Sequence, residues 1–282
     1  MSATTAIVDR VAIAANVATL RMVADGAQVC AVVKADGYGH GGVRAAQAAL
    51  DGGATWLAVA SITEARPLVA AGIDAPILIL SEPSPSEVHV ALALGVDLVV
   101  YRSATIDRIA ERAVALGVAP VGLHLKVDTG MRRVGCEPAE ALDLARRVSA
   151  TPGVRLAGTM THLAMADEPG DPTTAHQLDR FDVVLAELAA AGIDPGLRHA
   201  ANSAGTIAFP RAHYDLVRVG ISIYGIPPAP NLAGEVPLRP ALQWVAPVRL
   251  VKRVTAGERV SYGHRHTFAR DTVVATVAAG YA

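Results

Sequence analysis

Short apolar runs and longer amphipathic stretches alternate along most of the chain. The runs cover 28–35, 56–60, 76–80, 97–101, 121–127, 154–162, 197–201 and 214–219. The first of them holds Val29 to Val33, rich in β-branched residues and short enough for a strand buried on both faces. After an extended lead-in over 1–9, Asp9 caps a first helix predicted over 10–24. Helical spacing then recurs at 42–50, 62–71, 86–94, 104–116, 139–149, 175–191 and 204–209, and Gly72, Gly95, Gly117 and Gly192 supply stops. Strict alternation of strand and helix implies parallel pairing through right-handed crossovers. A doubly wound sheet also satisfies the alternation. Eight strands in roughly 220 residues fit a (β/α)8 barrel better, and no Gly-x-Gly-x-x-Gly opening follows the first strand.

From Ile226 the periodicity changes. Pro227-Pro228-Ala229-Pro230-Asn231 reads as a linker, and 242–251, 259–262 and 272–279 read as strands. The predicted organisation is an α/β barrel over 1–228 and the start of a mostly β domain over 229–282. The lead-in strand, 4–8, is free to pair with the second domain. The chain stops on an apolar run, Val277-Ala278-Ala279-Gly280-Tyr281-Ala282, with no polar tail. That reads as a β domain cut short, and the expectation is a frayed second domain with little turnover.

Composition narrows the class. Hydrophobic residues make up 52% of the 282, mostly alanine and valine, so closely packed helices around a large core are expected. A net charge of −1 argues against a nucleic-acid or membrane-surface binder. Cys30 and Cys136 are too few for a disulfide framework or a cysteine metal site. No signal peptide opens the sequence and no apolar span is long enough to cross a bilayer, so a reducing cytoplasm is the default location.

Candidate chemistry gathers where the strands end. The run over 29–33 is followed by Lys34-Ala35-Asp36-Gly37-Tyr38-Gly39-His40-Gly41. A buried strand has no structural use for an ammonium at its carboxyl end, which is where α/β proteins hold ligands. A partly desolvated lysine there is a usable nucleophile or Schiff-base partner. Taken alone, Lys34 also fits a side chain reaching out to solvent. Other strands end alike: 124–135 carries Lys126 and Arg133, and His162, His199, Asn202-Ser203, and Arg218 with Gly220 close the later runs.

These segments, with Val260-Ser261-Tyr262-Gly263, resemble the alanine racemases in order and spacing from one end of the chain to the other. The resemblance implies a cofactor, pyridoxal 5′-phosphate, held by Lys34 as a Schiff base. It implies Lys34 as the base for the D-enantiomer and Tyr262 as the base for the L-enantiomer, with L- and D-alanine as substrates. His162 would tune the Tyr262 phenol. Arg218 would face the pyridine nitrogen and suppress transamination, and Arg133 would hold the substrate carboxylate. Tyr38, Asn202, Ser203, Gly220 and Ile221 would hold the cofactor, chiefly at its phosphate. Lys126 sits behind Arg133 and is carbamylated in some members. The family also implies a homodimer in which Tyr262 serves the partner's site, with D-alanine going to the cell wall. Two other readings share the fold: a decarboxylase or broader-specificity racemase, disfavoured by Arg218, and a pyridoxal-phosphate carrier, disfavoured by the strands after Trp244. No metal, nucleic-acid or membrane role is expected.

Overall fold

In the computed structural model, which describes residues 4–118 and 120–280, strand β1 (Thr5–Val8) is followed in sequence by eight parallel strands of a separate sheet. These are β2 (Gln28–Val32), β3 (Trp56–Val59), β4 (Ile77–Ile79), β5 (Asp97–Val100), β6 (Val121–Lys126), β7 (Val154–Met160), β8 (Leu197–His199) and β9 (Leu216–Val219). They form one sheet in the order β8-β7-β6-β5-β4-β3-β2-β9. Backbone bonds from Asp215 N to Arg198 O (3.0 Å) and from Arg218 N to Ala201 O (2.9 Å) draw its two end strands together, nearly closing a (β/α)8 barrel. Helices at Arg10–Val23, Gly42–Asp51, Ile62–Ala70, Val88–Leu94, Ser103–Leu116, Pro138–Ala150, Thr173–Ala190 and Ser203–Ala208 accompany the strands. The alternation fixed this outcome, because each strand hydrophobic on both faces needs a helix outside and side chains inside.

Period two divides the strand residues between those two environments. Cys30, Val32, Ala58, Leu78, Val99, Met160 and Leu216 pack together, with Trp56, Leu80 and Tyr101 against them. Leu125 and Val127 instead meet Ala141, Ala145, Val184 and Leu188 of two helices. His124 and Lys126, which alternate with them, are thereby turned the other way.

The strand-rich unit pairs β1 antiparallel with β10 (Leu242–Val245), Thr5 opposite Val245. It also pairs β11 (Val248–Val254) with β14 (Thr272–Val277), and β12 (Arg259–Val260) with β13 (His266–Thr267). Two sequence expectations need correcting here. The run 242–251 is split, since Pro247 has no N–H to continue a ladder. Tyr262 lies not in a strand but in the 3-10 turn Tyr262–His264, entered through Ser261 at φ 58°.

The division between the units also differs from the expected 228/229. One unit is Met1–Asp9 with Leu242–Ala282, the other Arg10–Ala241. Asn16 explains the difference: its amide donates to Ile223 O (3.1 Å) and Arg239 O (2.8 Å) and accepts from Arg239 N (2.8 Å). Ala241 N adds a bond to Tyr224 O (3.0 Å), so 229–241 wrap the barrel. The start of the lead-in, 1–3, and the end of the final apolar run, Tyr281 and Ala282, lie outside the described residues. Among the described residues no helix is long and apolar enough to cross a membrane.

Candidate active site

A cavity of about 600 Å³ opens among the strand ends of the barrel unit. Lys34, Tyr38, Lys126, Arg133, His162, Asn202, Ser203, Arg218, Gly220 and Ile221 all line it. Its lining comes from the barrel unit alone. Tyr262 belongs to the other unit, where it is 86% exposed.

Lys34 opens an unusual turn. Strand β2 stops at Val32, and Ala35, Asp36, Gly37 and Tyr38 follow at φ 52°, 51°, 64° and 53°. Left-handed backbone costs a non-glycine residue about 1–2 kcal/mol, so the surroundings must hold it. Glu64 does so: one carboxylate oxygen accepts from Ala35 N and the other from Ala60 N, each at 2.8 Å. Asp36 Oδ1 accepts from Gly42 N at 2.6 Å, and His40 Nδ1 lies 3.0 Å from Gly37 O. Sequence reasoning missed Glu64 as a site residue. Ser61-Ile62-Thr63-Glu64 reads as an ordinary capping box, and nothing local says that its carboxylate reaches a loop 29 residues away.

The turn points Tyr38 at Gly220. A Cβ on Gly220 would lie 2.6 Å from the Tyr38 hydroxyl, so only glycine leaves room for the phenol. Burial pushes that phenol's pKa up, keeping it a neutral donor. Its ring lies 5.1 Å from that of Tyr224, itself stacked on His40 at 4.4 Å. Beside it, Ser203 Oγ accepts from Gly220 N (3.0 Å) and Ser222 N (3.4 Å). Asn202 caps the helix Ser203–Ala208 through Gly205 N (2.9 Å) and donates to Leu163 O (3.2 Å). Its amide is engaged in building the loop.

The cationic wall is the other half. Arg218, only 3% exposed, donates to Thr161 O (2.7 Å), Ala200 O (3.1 Å), His162 Nδ1 (3.2 Å) and His199 Nδ1 (2.9 Å). Burial lowers its pKa to about 10, the Cys30 thiol acting weakly the other way. His162 is driven down to about 3, first by burial and then by the positive charges of Arg218, Lys126, Arg133 and Lys34. It is therefore neutral. Since a guanidinium only donates, His162 Nδ1 is the bare nitrogen and the ring proton is assigned to Nε2. Lys126 falls to about 8, by burial and by Arg218 and Arg133, with Asp128 opposing. Asp128 is spent on the loop, accepting from Gly130 N and Arg132 N at 3.0 Å each. Bonds from Asp128 N to Cys136 O (2.8 Å) and from Cys136 N to Lys126 O (2.9 Å) pinch that loop shut, and it carries Met131 and Arg133 to the cavity.

Comparison with known proteins follows the same lines. The family described as alanine racemase, N-terminal domain, matches residues 8–228, and alanine racemase, C-terminal domain, matches 241–282. The alanine racemase of Symbiobacterium thermophilum is 46% identical over 282 residues, all of this chain and 74% of the relative. That of Thermobifida fusca is 45% identical over 278 residues, covering 97% of this chain and 74% of its own. Among solved structures, alanine racemase from D-cycloserine producing Streptomyces lavendulae superposes with a TM-score of 0.88 at 38% identity, over 98% of this chain and 73% of that one. The enzyme from E. faecalis gives 0.89 at 34%, over 99% and 75%.

Proposed function

The chain belongs to the alanine racemase family of isomerases, and from that premise we propose that its barrel binds pyridoxal 5′-phosphate through Lys34 and interconverts L- and D-alanine with two bases. D-alanine for peptidoglycan synthesis in the cytoplasm is the role that goes with this reading. The observation carrying it is the meeting of Lys34, His162 and Arg218 around one cavity that also holds the Tyr38–Ser203–Gly220 cradle. That donor set suits the group: an amine for the carbonyl carbon, hydroxyls and a side-chain-free backbone for a phosphate, and a guanidinium for a ring nitrogen.

Bound there, pyridoxal phosphate supplies an electron sink that acidifies the alanine Cα–H. The chain's residues do the rest. Lys34 Nζ takes or returns the proton on one face of Cα. The phenol of Tyr262, contributed across a homodimer, does so on the other, because a single base returns the proton to the side it left. His162 has Nε2–H to offer a phenolate oxygen, and a hydrogen bond to the charged form favours it. Arg218 has no readily released proton, so a ring nitrogen facing it stays unprotonated and the sink stays weak, which limits side reactions. Arg133 pairs with the alanine carboxylate. Lys126, with a neutral amine available near pH 8, adds carbon dioxide: an N–C bond forms, a proton leaves to solvent, and the resulting carbamate faces Arg133 and Arg218.

The test incubates the protein with pyridoxal phosphate and D- or L-alanine in heavy water and follows the Cα proton by NMR. The two-base reading gives exchange with inversion from both enantiomers, where a frayed second domain would give little turnover. Tyr262→Phe should abolish inversion while leaving exchange from D-alanine. No exchange in either protein, with the cofactor visibly bound, sinks the two-base reading. Gly220→Ala should weaken cofactor affinity by about tenfold, the cost of one displaced hydroxyl contact at ~1.4 kcal/mol. Fluorescence titration with pyridoxal phosphate checks it.

A further inference from the structure

Two buried histidines and a mostly buried aspartate lie outside the cavity lining and take no part in the chemistry above. His199, fully buried, meets Arg218 through Nδ1 at 2.9 Å. Its Nε2 lies 2.9 Å from Nδ1 of His124, also fully buried. His124 Nε2 in turn lies 3.3 Å from Oδ2 of Asp97, the third of them and mostly buried.

The two ends of this row determine every proton in it. A guanidinium can only donate, so His199 Nδ1 accepts and its proton sits on Nε2. That proton points at His124 Nδ1, which must accept, so the His124 proton sits on Nε2 and points at the carboxylate. A carboxylate can only accept. All three bonds run one way, from Arg218 to Asp97, and no other assignment satisfies both ends. Burial, Arg218 and His124 all hold the His199 pKa well below its ordinary value, as this arrangement needs.

The strands are shaped to admit it. A Cβ on Gly122 in β6 would overlap the Asp97 carboxylate, 2.5 Å from its Cγ. A Cβ on Gly158 in β7 would lie 2.5 Å from His124 Nδ1. Glycine inside a strand weakens it by roughly 0.5–1 kcal/mol, and here two adjacent strands carry one. The register between β6 and β7 also shifts between Leu123 and His124, so that His124 comes opposite Gly158. On its other side the ring meets Trp56 edge-on at 5.6 Å. Space has been made, at three separate points, for an imidazole and the carboxylate beside it at the start of β5.

Arg218 needs what this row offers. Its direct partners are carbonyls and imidazoles, and a buried charge without a counter-ion is costly. Polarised hydrogen bonds in series pass the influence of a charge along. We propose that Asp97, His124 and His199 form a one-way hydrogen-bond chain that holds Arg218 in place and serves its buried guanidinium with a carboxylate two imidazoles away. All three are positioning residues. The proposal rests on Arg218 serving the cofactor, and deepens that reading by naming what fixes it.

The test reads ring nitrogens, not turnover. In cofactor-free protein labelled with 15N-histidine, long-range 1H–15N spectra report the tautomer of each ring, with His124→Gln and His199→Gln giving the assignments. Both rings should carry one proton, on Nε2, at neutral pH. Asp97→Asn keeps the shape and an acceptor oxygen but removes the charge. It should shift the His199 Nδ1 resonance, which it does not touch, and weaken pyridoxal-phosphate binding by about tenfold, the usual scale for outer-shell partners. A proton on Nδ1 of either ring, an imidazolium, or an unmoved His199 signal in Asp97→Asn overturns the proposal. If that variant fails to fold, the wild-type tautomers alone decide. Correct tautomers in a protein that binds no pyridoxal phosphate would refute the functional reading and leave the chain of bonds standing.

Discussion

Lys34→Ala removes the covalent hold on pyridoxal phosphate and eliminates exchange of the alanine Cα proton. This is the largest effect expected of any single substitution here. An amine at Lys34 has two tasks in the proposed reaction, attachment and proton transfer, and alanine performs neither; loss of a nucleophile that acts as part of a unit costs on the order of 10⁴ or more in rate. The fold should not change, since Lys34 caps no strand and its ammonium only borders the Tyr38 ring, 5.9 Å from the centroid. The turn that carries it is held by Glu64, Asp36 and His40. Borohydride reduction followed by mass spectrometry makes the check. Wild-type protein should retain one cofactor per chain after denaturation, and the alanine variant none. Covalent retention in the variant would rule Lys34 out as the point of attachment.

The same turn shows how far the sequence could be read. Short continuous apolar runs alternating with helical spacing identify the barrel, because a parallel sheet buried on both faces leaves that signature and little else does. Polar residues at run ends marked Lys34, His162, Ser203 and Arg218 for the same reason: nothing in a strand's own packing asks for them. The left-handed backbone after Val33 left no such trace, as Ala35 and Asp36 carry no glycine signal and are held there by Glu64 from another helix. Tyr262 follows a β-like stretch yet sits in a 3-10 turn, since local propensity yields to Ser261 at φ 58°. Residues 229–241 read as a linker by composition, while Asn16, more than two hundred positions away, fastens them to the barrel. His124, His199 and Asp97 are the clearest case. They stand 75 and 27 positions apart in the pairs they form, and only the pairing of β5 through β8 in one sheet brings them together. Two mid-strand glycines, Gly122 and Gly158, were the available clue.

Lys126 makes stability itself depend on pH, in a direction that its burial fixes. The unfolded chain titrates it near the ordinary 10.5 and the folded barrel near 8. Below pH 8 both states carry the proton, and the native state bears the cost of a charge kept beside Arg133 and Arg218. Between about 8 and 10.5 this lysine holds more protons in the unfolded state, so its contribution to stability rises with pH across that window. The full rise is on the order of 3 kcal/mol, at about 1.36 kcal/mol for each pH unit separating the two states' titrations. Lys126→Met, similar in volume and uncharged, should therefore be more stable than wild type at pH 7 by up to ~3 kcal/mol, and the gap should close by pH 10.5. Cys30 and Cys136 above pH 9, and Tyr38, Tyr214 and Tyr224 above pH 10, whose pKa values burial raises, work against stability, but equally in both proteins, so the difference isolates the lysine. Staying at or above pH 7 also keeps His162 out of the comparison, since it is uncharged in the folded state there. Urea unfolding at fixed pH in buffer free of carbon dioxide measures the gap; parallel curves would mean that Lys126 is not desolvated. Bicarbonate then provides the decisive contrast. A carbamate reverses the sign of the charge facing two arginines, so wild type at pH 8 should gain stability on its addition while the methionine variant, with no amine to react, stays where it was.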